Sequence, residues 1–320
     1  MRPSTISVPL NRMWHLVKSL LVLALLAGIA QSGQAQNSFY QYPDTLNKKR
    51  LRGLVIAESA TYATTMYGLY TLWYRDFPKS DFHWFNDNRQ WLQMDKIGHA
   101  MTSYEIGRFG IEALKWSGVE DNKALWYGGL LGFVYQGTIE VFDGFSAEWG
   151  ASSGDILANG AGTALVMTQE ALWHEQRAQL KVSAHLTSYA QYRPETLGST
   201  IPERLFKDYN GQTYWLSVSP SAWLPEDSKF PKWLAISGGY SADGMLGGTR
   251  NPITNSAGDR LPPIARSRQY LLSLDVDFTR LKTRSKFLNT VMSTFGFVKV
   301  PFPALQWSPE TGLRGYALYF

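Results

Sequence analysis

Residues 140–163 read EVFDGFSAEWGASSGDILANGAGT. An apolar run closes on Glu140 and Asp143, a stretch of Gly, Ala and Ser interrupts it, and a second run opens with Asp155 and Asn159. Ser152 with Asp155 three residues later has the pattern of a helix N-terminus, in which a hydroxyl accepts from a free backbone N–H. The segment therefore predicts two consecutive helices whose facing ends carry four polar groups. Isolated buried charges are costly, so these groups must meet one another, a metal or water.

The flanking runs extend the pattern. NKALWYGGLLGFVYQGTIEVF, the most apolar, begins after Glu120 and Asp121, acids that suit a helix N-terminus. DKIGHAMTSYEIGRFGIEALKW, from Asp95 to a stop at Ser117 and Gly118, is amphipathic, with Glu105, Arg108, Glu112 and Lys115 expected on its solvated face. A helix is also expected from about Lys49 to Tyr74. The helix opened by Ser152 carries small residues at Ala158 and Gly162, which let a neighbouring backbone approach closely.

Beyond Tyr189 the composition shifts to Pro, Gly and Ser, and short β-like runs appear: TYWLSVS, WLAISGGY, QYLLSLDVDF and GYALYF. KFLNTVMSTFGFV is an amphipathic helix that either covers the core or lies on a membrane surface. Phe320, with Leu318 and Tyr316 at alternate positions before it, imitates the last strand of an outer-membrane barrel. A closed barrel needs at least ~8 strands, more than the runs supply. The expected fold is α+β: a four-helix bundle over residues 45–188 holding the polar groups, then a smaller, irregular β-containing region over 189–320.

The N-terminus reads as a secretory signal over residues 1–35. Arg2, Arg12 and Lys18 precede SLLVLALLAGIA, and GQA at 33–35 offers a cleavage site. These three cations are the only formal charges before residue 36, so removing them lowers the net charge from +5 to +2. A near-neutral exported chain lacks the basic stripe of a nucleic-acid binder. The basic excess that remains is local, in Arg266, Arg268, Arg280, Lys282, Arg284 and Lys286, a segment suited either to anionic membrane surfaces or to simple solvation. With no cysteine in the 320 residues there is no disulfide, thiolate metal site or acylated cysteine to expect. Mean hydropathy of −0.22 disfavours a set of four membrane spans, so the bundle is expected to be peripheral or partly embedded.

Three helix stripes carry the chemistry. Asp95 and His99 are four apart, as are Gln136 and Glu140, with Asp143 three further on; Asp155 and Asn159 repeat the spacing. Bland readings exist for single members: Asp95 and Asp155 as caps, His99 as a satisfied core histidine, Lys96 as a surface residue or partner of an acid. Caps leave His99, Glu140, Asp143 and Asn159 without a reason.

The pattern DKxGH, then E-x-x-D, then S-x-x-D-x-x-x-N-x-x-G resembles the YfiM-like family of predicted periplasmic lipoproteins of unknown function, and more distantly the VanZ-like membrane proteins. The matching positions are Asp95, Lys96, His99, Glu140, Asp143, Ser152, Asp155, Asn159 and Gly162. The tail resembles the longer, Bacteroidetes-type form of that family. The resemblance implies a helical envelope protein in the periplasm, associated with the outer membrane, and implies no reaction.

Two functions follow. In one the protein is a non-catalytic scaffold or adaptor at a membrane surface, its polar cluster a register-fixing network and its partner a membrane lipid or an envelope protein. In the other, Asp95, His99, Glu140, Asp143 and Asp155 hold a divalent metal ion, or these residues with Asn159 form an acid/base site of a hydrolase acting on an envelope lipid or glycan. Raised carboxyl pKa values in a cleft favour the second; a fully paired, closed cluster favours the first.

Overall fold

The polar residues of residues 140–163 fall where expected because two helices meet there. In the computed structural model, which describes residues 43–75, 77–281 and 283–320, the chain is a mixed α+β protein. The expected signal segment lies outside the described residues. Helix α1 spans Lys48–Leu69, α2 Met94–Trp116, α3 Leu131–Gly144 and α4 Ser153–Trp173. Helices α2, α3 and α4 pack directly on one another. A Cβ on Gly162 would lie 1.9 Å from the carbonyl oxygen of Ala100, and one on Gly132 would lie 2.0 Å from that of Ser103. These two glycines bring α4 and α3 against the backbone of α2, as the small residues of α4 predicted.

Helix α1 lies along one side of this group. Only Met66 of it is buried, and it is held by the Tyr62 hydroxyl 2.8 Å from Thr138 Oγ1 and by Arg50 donating to the Trp116 carbonyl. A wider, π-helical turn at Tyr70–Tyr74 continues it and aims Tyr74 at α3. The long apolar run expected as one helix widens into a second π-helical turn at Ala124–Gly128 and passes through Gly129 and Leu130, both with right-handed helical backbone, into α3. Among the described residues no helix is long and apolar enough to cross a membrane.

The sheet has six antiparallel strands in sequence order: β1 Ala178–Ala184, β2 Gln212–Val218, β3 Leu234–Asp243, β4 Ser267–Val276, β5 Phe302–Ser308 and β6 Gly312–Tyr319. The sequence runs marked β2, β3, β4 and β6. Strand β1 precedes the composition shift and alternates polar with apolar residues. Strand β5 is masked by Pro301 and Pro303, residues that argue against strand in sequence. The sheet curls until Tyr319 of β6 meets Trp215 of β2 at a ring distance of 5.8 Å. Residues 297–299 pair with the outer edge of β1 through Val182. Helix α5, Lys286–Phe295, joins β4 to β5, with Phe287 and Phe295 exposed.

Two expectations change here. Glu105 and Arg108 do not form a solvated face. Glu105 is buried and the half-buried Arg108 lies against it at 2.7 Å, and Arg108 also donates to the Ser293 carbonyl of α5, so the pair satisfies its own charge beneath the sheet region. Arg266, Arg268 and Arg280 of the basic segment turn inward, to the Gly248 carbonyl, the Gln93 side chain, and Asp277 with Glu175 respectively. Lys282 lies outside the described residues.

Candidate functional site

The three stripes converge. His99 projects from the first turns of α2 into the angle between α3 and α4. Its Nδ1 is 3.1 Å from Asn159 Oδ1, an acceptor, and 3.3 Å from Gln136 Nε2, a donor, so the two contacts favour opposite tautomers; in the doubly protonated ring Nδ1 donates to Asn159. Fixing Nδ1 fixes the ring, and Nε2 then faces two carboxylates, Asp95 Oδ1 at 3.8 Å and Asp155 Oδ1 at 3.9 Å. On the other side Glu140 Oε1 lies 3.8 Å from Nδ1.

Helix ends distribute the carboxylates. Ser152 caps α4, its hydroxyl accepting from the Asp155 N–H. The second half of a capping box would turn the Asp155 carboxylate back to the Ser152 N–H. Glu140 takes that N–H instead, at 2.8 Å, which frees Asp155 for the interior. Asp95 does not cap α2 with its side chain. The preceding residues Trp91, Leu92 and Gln93 all have positive φ (46°, 50° and 66°), a left-handed turn that non-glycine residues rarely adopt. The sheet region holds it: Gly248 accepts from the Trp91 N–H, Tyr240 donates to the Leu92 carbonyl, and Arg268 donates to Gln93. Asp95 is thereby placed to accept from Tyr209 at 2.8 Å.

Lys96 is no surface residue. Its ammonium lies 2.6 Å from Asp87, 3.1 Å from Asp95 and 2.8 Å from both oxygens of Asp155. Its hydrogen bond serves Asp155 Oδ2; Oδ1 is neutralised by charge yet has no hydrogen-bond partner. Glu140 Oε1 and Asn159 Nδ2, both buried, also lack a partner among the described residues. Asp143 stands at the rim, accepting from Tyr74 at 2.7 Å.

Burial and charge set the proton affinities. Burial raises Glu140 and Asp143 to about 7 each, against the Ser152 N–H and the Tyr74 hydroxyl that favour their charged forms. Burial and the negative charge of Asp95 raise Asp155 to about 6. Burial would lower His99, but Asp95, Asp155 and Glu140 outweigh it and its pKa is raised. Asp95 moves the other way: burial raises it, while His99, Lys96 and Tyr209 together leave it lowered. Carboxyls a few ångströms apart are thus driven in opposite directions, the arrangement of acid–base sites.

Asp95, His99 and Asp155 could also hold a metal, since one ligand atom from each lies within 4.8 Å of the others. Two ligands ~2.1 Å from one ion are at most ~4.2 Å apart, and both His99 distances satisfy that. Lys96 works against it, because its ammonium already neutralises two of the three ligands and would repel a divalent cation.

Sequence reasoning missed Asp87, Tyr74 and Tyr209. Asp87 opens a turn in the stretch Asn86-Asp87-Asn88, with no helical period to mark it. Tyr209 comes from the sheet region, and nothing local signals a partner 114 residues away.

Residues 81–171 match a family model described as predicted periplasmic lipoprotein (DUF2279). That segment contains Asp87, Asp95, Lys96, His99, Glu140, Asp143, Asp155 and Asn159. The match supports an uncharacterised periplasmic lipoprotein family and an exported, periplasmic envelope location. Neither the curated proteins nor the solved structures compared with the chain gave a match.

Proposed function

We propose that the centre is an acid–base hydrolytic site acting on an amphiphilic ester or phosphoester of the cell envelope, at the outer-membrane surface. One observation carries this: Glu140 Oε1 is buried without a hydrogen-bond partner among the described residues, 3.8 Å from His99 Nδ1, while Asp155 Oδ1, paired only with the Lys96 ammonium, lies 3.9 Å from Nε2. Leaving such an acceptor unsatisfied costs stability that a purely structural network would recover. Access comes from the side of Asp95 and His99, whose side chains are 22% and 13% exposed.

The electrostatics support a division of roles. Asp95, Asp155 and Glu140 raise the His99 pKa against the effect of burial, which suits it as the donor to the leaving oxygen. Asp155, at about 6, is ionised near neutrality and accepts a proton from attacking water. Water oxygen bonds to the carbonyl carbon or phosphorus, the ester bond to the leaving oxygen breaks, and Lys96 faces the negative charge that develops. A groove of about 330 Å³ walled by Tyr70, Tyr74, Phe77, Phe142 and Phe145 supports a substrate with an apolar chain. It does not open on His99; it meets the centre at Asp143, through the Tyr74 hydroxyl. The exposed phenylalanines of α5 support work at a membrane surface.

The test is turnover of fluorogenic acyl-ester and phosphodiester amphiphiles of graded chain length. The expected profile is a bell, rising through about pH 6 and falling as His99 deprotonates, with a loss of ~10²–10⁴-fold in His99→Ala and Asp155→Asn. Activity that survives chelation fits the acid–base route; activity restored only by a divalent cation transfers the role of Asp95, His99 and Asp155 to a metal. No turnover above the His99→Ala background overturns the proposal. The scaffold reading, favoured by the three acids that Lys96 already satisfies, would then stand.

A further inference from the structure

Soluble sheets bury their apolar side and wet their polar side. Here the curl of the sheet encloses Ser217, Ser237, Ser273, Gln306 and the ion pair Lys181–Asp275, each at most 4% exposed, around the apolar side chains of Trp215 and Leu271. The outward positions of the central strands are the apolar ones. Leu216, Leu272 and Leu305 lie in one register row across β2, β4 and β5, and Ile236 and Leu274 in the next. All five are between 44% and 55% exposed. The row on the other side is aromatic: Tyr240, Tyr270 and Trp307 stack along β3, β4 and β5 with rings 5.6 and 5.7 Å apart.

We propose that this convex outer face, centred on Leu272 and Leu305, seats the protein on the acyl layer of a membrane leaflet, with the aromatic row at the headgroup boundary. It rests on the membrane-surface reading above and not on the chemistry of the polar centre. The inversion selects lipid over a protein partner. Protein interfaces carry roughly one hydrogen bond per 100–200 Å², and the aliphatic rows offer no side-chain donor or acceptor. Aliphatic rows bordered by Tyr and Trp match the layering of hydrocarbon and interface.

The face rests on the leaflet without crossing it. Ile236 to Tyr240 is four residues, ~13 Å along a strand, against ~25 Å for the apolar band of a spanning barrel wall. Arg268, two residues before Tyr270 in β4, bounds it at the aromatic end. Lying face-down also keeps the unpaired edge of β6 out of hydrocarbon, where open strand edges are not tolerated. Since Tyr240 donates to the Leu92 carbonyl, three residues before Asp95, the aromatic boundary also carries the turn that leads into the polar centre.

The test is flotation of the full chain with phosphatidylethanolamine/phosphatidylglycerol vesicles in 1 M salt, which removes purely electrostatic binding, read together with quenching of Trp307 by brominated acyl chains. Wild type should float with Trp307 quenched. Leu272→Glu/Leu305→Glu, checked for fold by circular dichroism, should lose at least ~10-fold in partitioning, and Val55→Glu/Ile56→Glu on exposed α1 should not. If the glutamates impair folding, Leu272→Gln/Leu305→Gln replaces them. Flotation unchanged by either pair overturns the sheet assignment and leaves the membrane reading intact; no wild-type flotation overturns both. A wild-type dimer dissolved by the same substitutions would make a second copy the occupant and equally overturn the proposal.

Discussion

Two of the buried lysine–carboxylate groupings, one in the sheet and one in the helical layer, are finished to different degrees. In the sheet, Lys181 and Asp275 are both wholly buried at 2.9 Å. Lys181 also donates to the Val276 carbonyl, and Asp275 accepts from Ser217, Ser237 and the Val276 N–H, so every oxygen is used. In the helical layer, Lys96 gathers Asp87, Asp95 and Asp155, yet Glu140 Oε1 and Asn159 Nδ2 have no hydrogen-bond partner among the described residues. One cluster is closed off from the surface; the other is partly accessible, carries an imidazole, and holds carboxyls at about 6 and about 7. The same residue types therefore serve structure in one place and offer proton chemistry in the other, and the distinguishing feature is incomplete satisfaction.

The contrast breaks most visibly by deletion. Asp275→Ala leaves a buried ammonium unpaired and should cost ~3–5 kcal/mol in urea unfolding, enough to unfold a marginal domain. Asp155→Ala leaves Lys96 with Asp87 and Asp95 and should cost less, ~1–3 kcal/mol. Equal losses would erase the distinction.

Proton linkage sharpens it next. Glu140, Asp143 and Asp155 bind protons more tightly when folded, so their contribution is fullest at low pH and is lost as pH rises from about 4 through about 7; raised His99 acts in the same direction. Lowered Asp95 opposes this only at acid pH. Thermal midpoints measured from pH 5 to 8 should fall in wild type and fall less in Glu140→Gln. The smallest effect is expected for Ser152→Ala, which removes the cap of α4 and a hydrogen bond to Asp87 at 2.5 Å: about 1 kcal/mol, again by urea unfolding.

The helical layer was legible because its spacing is local. Four-residue repeats placed Asp95 with His99, Glu140 below Gln136, and Asp155 with Asn159 on single faces, and Gly162 announced close packing. What was hidden depended on long-range geometry. Nothing near Lys96 says that three acids surround it, since Asp155 is 59 residues away and Asp87 lies in a turn. The sheet hid for another reason: with its apolar side outward, alternation marks strands without saying which face is buried, so β1 with Gln179, Lys181 and Ser183 inward reads as solvent-exposed chain. Glu105 and Arg108 misled likewise, because a self-satisfied ion pair can be buried where an unpaired charge cannot.

The central claim, that the helical-layer cluster exchanges protons while the sheet cluster does not need to, is tested most directly by an NMR titration of the His99 ring in wild type and Glu140→Gln. The account predicts an Nδ1-protonated ring with a pKa above that of a free histidine, falling when the Glu140 charge is removed. A ring that stays in one protonation state from pH 5 to 9, or whose titration ignores Glu140, would contradict it.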